Sequence, residues 1–310
     1  MDQIKNHPLY RKHNIDSAMS TLWEFYKTRF IALYLISLVM SAVIQYASLT
    51  INFQEFQTIT DPMVMLEKIQ GMLVPLLIVM LVSLFFSTIF HYYILHKPLD
   101  GSQNIFRCTI KSLKYFLPYL VIFVILLFAG SFAILLGLMA LIVGVFFSVV
   151  YIGMVAMFIM PVMMAEETSI DRTIVRTVRL SHTNFWANMG WTAVFIILYI
   201  IISLVLSGLV LLPFAGNFLK TFANPEDTTS IMHLATSPLF LVLSTAINAI
   251  TLPLLPIFAF ILYFNGKARE ETINLPLPGN DPENKVRVED LYAKPREENI
   301  SSLNNQNNSL

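Results

Sequence analysis

Residues 115–165 read YFLPYLVIFVILLFAGSFAILLGLMALIVGVFFSVVYIGMVAMFIMPVMMA, 51 consecutive residues without Asp, Glu, Lys or Arg. As a single α-helix this stretch would extend about 76 Å at ~1.5 Å per residue. The hydrocarbon core of a bilayer is only about 30 Å thick and is crossed by about 20 apolar residues. The segment is therefore predicted to fold back on itself as two helices, 118–137 and 144–165, with the turn between Gly137 and Gly144. Gly130, Gly137 and Gly144 recur every seven residues, and small residues at such spacing let helices approach closely.

Four further charge-free intervals flank it: Phe30 to Gln54, Ile69 to His96, Leu180 to Leu219 and Thr228 to Gly266. Charge is the informative marker, because an ionisable group at the centre of a helix in lipid costs about 2.5–3.5 kcal/mol on insertion scales. Within the fourth interval LSHTNFWANMG is too polar for the core, and in the last Pro238 suits the first turn of a helix. The result is an all-α polytopic membrane protein with six transmembrane helices, at about 30–51, 72–95, 118–137, 144–165, 190–213 and 238–264. The first apolar run is as long as a bilayer is thick and carries no small-residue cleavage site, so it is predicted to remain as an anchor. Composition agrees: of 310 residues 56% are hydrophobic and 13% charged, with a mean hydropathy of +0.66, whereas soluble domains carry about 25% charged residues.

The basic residues orient this bundle. Alternate segments hold 18 of the 20 Lys and Arg, the bias of cytoplasmic loops, which predicts both termini in the cytoplasm. Residues 1–29 then form a cytoplasmic N-terminus with an amphipathic helix, 30–265 the membrane domain, and 266–310 a polar, Asn-rich tail whose composition predicts disorder. The equal numbers of acidic and basic residues give no footprint for nucleic acid. Cys108 stands alone, so no internal disulfide forms.

A short helical segment with one apolar face precedes each odd-numbered span, on the cytoplasmic side. In the first, Ile15, Ala18, Met19, Leu22, Phe25 and Tyr26 share a face; in the second, Phe106, Ile110, Leu113 and Leu117; in the third, Ile170, Ile174 and Val178. The second and third also carry basic residues at i, i+4, i+7 with a constant offset of 65: Arg107, Lys111, Lys114 and Arg172, Arg176, Arg179. The chain thus reads as three units of one amphipathic elbow helix and one helical hairpin, the first without the basic stripe. These six residues are candidate contacts for anionic lipid headgroups. Positive-inside bias alone accounts for the same residues, and both readings stand.

No catalytic, cofactor-binding or metal-binding residue emerges. The spans hold no Asp, Glu, Lys or Arg, where ion-coupled transporters place such groups. Of six histidines only His91 falls within a span, beside Tyr92 and Tyr93, as an interfacial residue would. Glu166, Glu167, Asp171, Arg172 and Arg176 cluster after the fourth span; the carboxylates suit either acid–base work or the capping of the following helix from Thr168 or Ser169. Pro75, Pro161, Pro253 and Pro256 interrupt spans, either as packing elements or to free carbonyls that line a cavity.

Across residues 151–190, a Pro-ending apolar helix, a Glu, an amphipathic helix with Ser and an aromatic-Trp entry into the next span succeed one another, at Pro161, Glu166, Ser169, Ser181, Phe185 and Trp186. This pattern resembles bacterial six-span proteins related to the membrane domain of glycerophosphoryl diester phosphodiesterases. The resemblance implies the architecture without the hydrolase, since no soluble stretch exceeds the 45-residue tail, and it implies a role in membrane integrity or beside other membrane proteins. The expectation is a non-enzymatic scaffold or lipid-interacting partner in the bacterial cytoplasmic membrane, without a cofactor, its partners being anionic lipids or a membrane protein. The alternative is a transporter of an uncharged or lipid-like substrate through the Pro-kinked spans.

Overall fold

The structure, a computed structural model, describes residues 2–49, 61–216 and 237–273. Its elements are α1 (Asp2–Lys5), α2 (Ile15–Thr28), α3 (Phe30–Ser48), α4 (Pro62–His96), α5 (Ile105–Leu138), α6 (Leu141–Glu166), α7 (Ile170–Thr183), α8 (Phe185–Leu211), a 3-10 turn at Leu212–Phe214, α9 (Pro238–Thr251) and α10 (Leu254–Ile273). Among the described residues there is no strand, and six helical spans are long and apolar enough to cross a membrane, α9 and α10 forming the sixth together. Residues 1–269 make one compact unit; of a second, 270–310, the end of α10 is described.

The chain reverses at Met139 and Ala140, where the length argument places the turn. A Cβ on Gly144 would overlap the carbonyl oxygen of Gly137, and one on Gly137 would stand 2.7 Å from that of Gly144. Gly130 is looser, since its Cβ would meet Ile152 at an ordinary 3.4 Å. The Ser148 hydroxyl donates to the Ala133 carbonyl at 3.0 Å and ties the two helices together beside the turn.

Several boundaries move, each for a local reason. α4 starts at Pro62, ten residues before the predicted span, because Asp61 caps it by accepting the Met63 N–H at 2.8 Å, with Pro at the first turn. The second amphipathic segment is continuous with its span, α5 passing through Pro118 unbroken. Pro75 and Pro161 likewise lie inside continuous helices, and only Leu252–Pro253 separates two. The Ile250 carbonyl beside that break accepts the Tyr26 hydroxyl of α2 at 2.8 Å. Residues 266–273, assigned to the tail, continue α10 instead, because Lys267 and Arg269 are bonded into the bundle. The disorder expected from 274 onward lies outside the described residues.

α10 is the centre of the unit. Ile257 to Leu262 and Phe264 are fully buried, with Tyr263 close behind. In the sixth span 72% of the apolar window is buried, against 11–28% in the others; a helix apolar all round belongs inside. Phe258 stacks on Phe195 of α8 with centroids 4.1 Å apart, Phe260 faces His91 of α4, and Phe264 stacks on His7. The other spans turn their remaining apolar faces outward, the arrangement expected of a lipid-facing ring around a protein core.

The predicted apolar face of α2 is buried as read: Ala18, Leu22, Phe25 and Tyr26 pack inward. In α5 the orientation is reversed, and in α7 it is mixed, with Ile170 and Ile174 packed against the core and Val178 outside it. Their protein-facing rows are Cys108, Ser112, Tyr115 and Thr173, Thr177, Leu180, again at offset 65, while Phe106, Ile110, Leu113 and Leu117 are exposed. Val178 is exposed as well, and Ile170 and Ile174 are half-buried. On α5 the small Cys108 and Ser112 let the helix lie close to the bundle, and its bulky Phe106, Ile110, Leu113 and Leu117 point away from it.

Candidate functional site

Glu166 and Glu167 end α6, and the backbone sends them to opposite sides. Glu167 adopts a left-handed conformation (φ 48°, ψ 43°), the common way to terminate a helix, here without glycine. The Glu166 side chain is 9% exposed and that of Glu167 67%. Arg176 Nε of α7 donates to both Glu166 carboxylate oxygens at 3.1 and 3.2 Å. Lys267 Nζ and the Tyr263 hydroxyl of α10 donate to Oε1 at 3.0 and 3.2 Å. One carboxylate thereby joins α6, α7 and α10, and two cations with a phenol saturate it.

Glu167 faces outward to Lys114 Nζ at 3.0 Å and the Tyr115 hydroxyl at 3.2 Å, both from α5. The Lys114 hydrogen bond and charge hold the Glu167 carboxyl below its usual range. Ser169 occupies the N-cap position of α7, where its side chain makes no capping bond to the helix backbone. Both carboxylates therefore join helices through ion pairs.

The six basic candidates divide. Arg107, Lys111 and Lys114 are exposed on α5, and Arg172 and Arg179 on α7, whereas Arg176 turns inward to Glu166. The exposed ones alternate with the outward apolar residues, Phe106 at 72% exposure and Val175 at 69% among them. Of the motif residues, Pro161 and Ser181 are buried. Asn188 of α8 donates to the Ser181 carbonyl at 3.0 Å, and Phe185 stacks on His182, so this segment fastens α7 to α8. Trp186 is exposed, its ring edge-on to Phe147 of α6.

α7 folds back along α6. Arg176 meets Glu166, while His182, nearly two turns on, reaches Tyr151, four turns earlier in α6. Between them, α5, α6 and α7 enclose an apolar groove of about 200 Å³, walled by residues within 122–133, 151–159 and 174–178. Two of its lining residues carry hydroxyls: Tyr151, within hydrogen-bond distance of His182 Nε2 at 3.4 Å, and Thr177, whose Oγ1 is buried without a hydrogen-bond partner.

Pro253 and Pro256 are both buried. His91 is buried against Phe260 and donates from Nδ1 to the Ser87 carbonyl at 2.8 Å. Sequence reasoning missed Tyr263 and Lys267; their i, i+4 spacing at the end of the last span was the available signal. Among the described residues no three His, Cys, Asp or Glu converge as metal ligands would. No family model, curated protein or solved structure matches the chain.

Proposed function

We propose that this multi-pass protein is a non-enzymatic scaffold of the bacterial cytoplasmic membrane, with both termini in the cytoplasm, that binds anionic lipid headgroups at α5 and α7. The carrying observation is the outward face of these two helices. Exposed Arg107, Lys111, Lys114, Arg172 and Arg179 alternate there with exposed Phe106, Ile110, Leu113, Val175 and Val178. Apolar side chains reaching lipid beside cations at headgroup level are the pattern of an interfacial helix, and each cation near an anionic surface contributes about 1 kcal/mol. The distribution of Lys and Arg supports the orientation, and the resemblance to the membrane domain of glycerophosphoryl diester phosphodiesterases supports a scaffolding role.

Replacing Arg107, Lys111, Lys114, Arg172 and Arg179 together with Gln tests this. The five-fold variant is expected to co-purify with phosphatidylglycerol and phosphatidylethanolamine in the proportions of the membrane, whereas the wild type enriches the anionic lipid. Equal enrichment in both proteins refutes the reading. Cysteine accessibility at both termini, measured in parallel, checks that orientation is unchanged.

A further inference from the structure

We infer that the cavity between the N-terminal segment and α2 binds the headgroup of an amine-bearing phospholipid of the ethanolamine class, its phosphate on Arg11 and Arg29 and its ammonium on Glu24. The inference goes beyond the reading of α5 and α7 above and does not depend on it. Arg11 lines the cavity from the N-terminal segment, and Thr21, Glu24, Thr28 and Arg29 line it from α2 and its C-cap. The cavity holds about 290 Å³, at the small end of ligand sites, which run to about 300–1,000 Å³.

Opposite charges line this cavity without neutralising one another. Arg11 donates to the Thr21 hydroxyl, and Arg29 Nη1 to that of Thr28 at 3.1 Å. Thr28 in turn donates to the Phe25 carbonyl at 3.0 Å, and the Arg29 guanidinium lies over the Phe25 ring, 4.2 Å from its centroid. These contacts hold both arginines in place and supply no counter-charge. Among the described residues neither arginine pairs with a carboxylate and Glu24 pairs with no cation, although all three line one cavity. Other half-buried cations are satisfied, Arg176 and Lys267 by Glu166, and Arg269 by Asn265 and the His13 carbonyl. Arg29 is half-buried too, and burial lowers its pKa, opposed by Tyr93. A charge withdrawn from water in this way is ordinarily paired.

The balance of charge selects the ligand. Lys12, Asp16 and Lys27 flank the lining residues in sequence, so that residues 11–29 hold four cations and two carboxylates. A bare phosphate would have Glu24 opposing it, whereas a group carrying both phosphate and ammonium uses Arg11, Arg29 and Glu24 together. Arg11, Glu24 and Thr28 are exposed residues, open to a ligand. Order along the chain points to a lipid as the source. Arg29 adjoins Phe30, the first residue of the first span, and Ile31 beside it is 75% exposed, as a lipid-facing residue would be. Glu24 lies about 7 Å further back along α2 at ~1.5 Å per residue. A phospholipid presents its phosphate beside the acyl region and its amine beyond, in the same order.

The test counts phosphatidylethanolamine retained per chain by native mass spectrometry, after the full-length protein, reconstituted with equal phosphatidylethanolamine and phosphatidylglycerol, is washed through graded detergent. The wild type is expected to keep phosphatidylethanolamine once bulk lipid has gone. Arg29→Gln and Arg11→Gln should each lower that retention about tenfold, and Glu24→Gln should lower it while leaving phosphatidylglycerol unchanged. If Arg29→Gln does not fold, Arg11→Gln, a change at an exposed residue, carries the test alone. Undiminished retention in the arginine variants overturns the inference, and undiminished retention in Glu24→Gln overturns the assignment to an amine-bearing headgroup. The five-fold Gln variant of α5 and α7 is expected to hold phosphatidylethanolamine as the wild type does, whatever becomes of its anionic preference; loss there would place the lipid on α5 and α7 and overturn this site. Soluble glycerophosphoethanolamine, added as competitor, should displace the lipid weakly; displacement at concentrations matching the lipid's own would make the ligand a free solute and overturn the lipid assignment.

Discussion

Two adjacent carboxylates at the end of α6 have opposite physical roles. Glu166 is held by Arg176, Lys267 and Tyr263 with little access to solvent, so a neutral replacement leaves two nearly buried cations without their counter-charge. Breaking such a pair from one side costs about 3–5 kcal/mol. Glu166→Gln keeps the shape and removes the charge, and is expected to lower stability by about 3 kcal/mol. Glu167 pairs with Lys114 on the surface, both side chains more than half exposed; Glu167→Gln is expected to cost at most about 1 kcal/mol. Thermal unfolding of both variants in one detergent checks the contrast, and equal destabilisation would show that burial does not separate them. The sequence exposed the acidic–basic cluster but not its division. Whether a carboxylate after a helix turns in or out depends on one backbone dihedral pair, at Glu167, and on cations from three other helices, of which Lys114 and Lys267 lie 53 and 101 residues away in sequence.

For the helices, spans were legible because excluding charge from lipid is energetically severe, and the hairpin was legible because 51 uncharged residues cannot cross once. The facing of α5 was not. Periodicity shows that one face is apolar, but in a bilayer both the protein interior and the lipid accept an apolar face, so Phe106 and Leu113 point outward while α2, with the same kind of pattern, packs inward. Where the chain itself sets the limit, the reading transfers directly to stability. At the α5–α6 turn a methyl on Gly144 meets the Gly137 backbone, which has no rotamer with which to yield. Gly144→Ala is expected to destabilise by about 1–3 kcal/mol. Gly130→Ala brings only ordinary contact with Ile152 and should be neutral or slightly stabilising, since alanine is the better helix former by up to about 1 kcal/mol. Unfolding temperatures for the two variants test this, and a neutral Gly144→Ala would mean the hairpin opens freely.

At the level of the whole membrane unit, α10 being central explains why segments far apart in the chain meet at its end. An all-apolar helix in a membrane protein gives no sign of whether lipid or protein surrounds it, so this role was invisible until neighbours were placed. The N-terminal segment closes the assembly around it. His13 donates its N–H to the Asn265 side chain at 2.9 Å, and its carbonyl accepts Arg269 at 3.1 Å. His7 accepts the Leu9 N–H at Nδ1, which leaves the ring proton on Nε2 for the Ile94 carbonyl at 3.0 Å, while its face stacks on Phe264. That geometry requires a neutral ring. Burial, opposed by the Ile94 hydrogen bond and reinforced by the charges of Arg29 and His96, pushes the His7 pKa down to about 4. A base whose folded value lies below its ordinary 6.5 takes up its proton first in the released segment. The stability contributed by this contact is therefore complete above about pH 6.5 and declines as pH falls toward about 4. His13 shifts in the same direction, with burial the largest cause. The expected result is acid-dependent release: amide hydrogen exchange across residues 7–13, measured at each pH against its intrinsic rate, should be protected near neutral pH and lose that protection at pH 4.5, before the spans unfold. His7→Ala should release the segment at both pH values and flatten the difference. Unchanged protection of this segment across the range would mean that His13 and Leu9 hold it without His7.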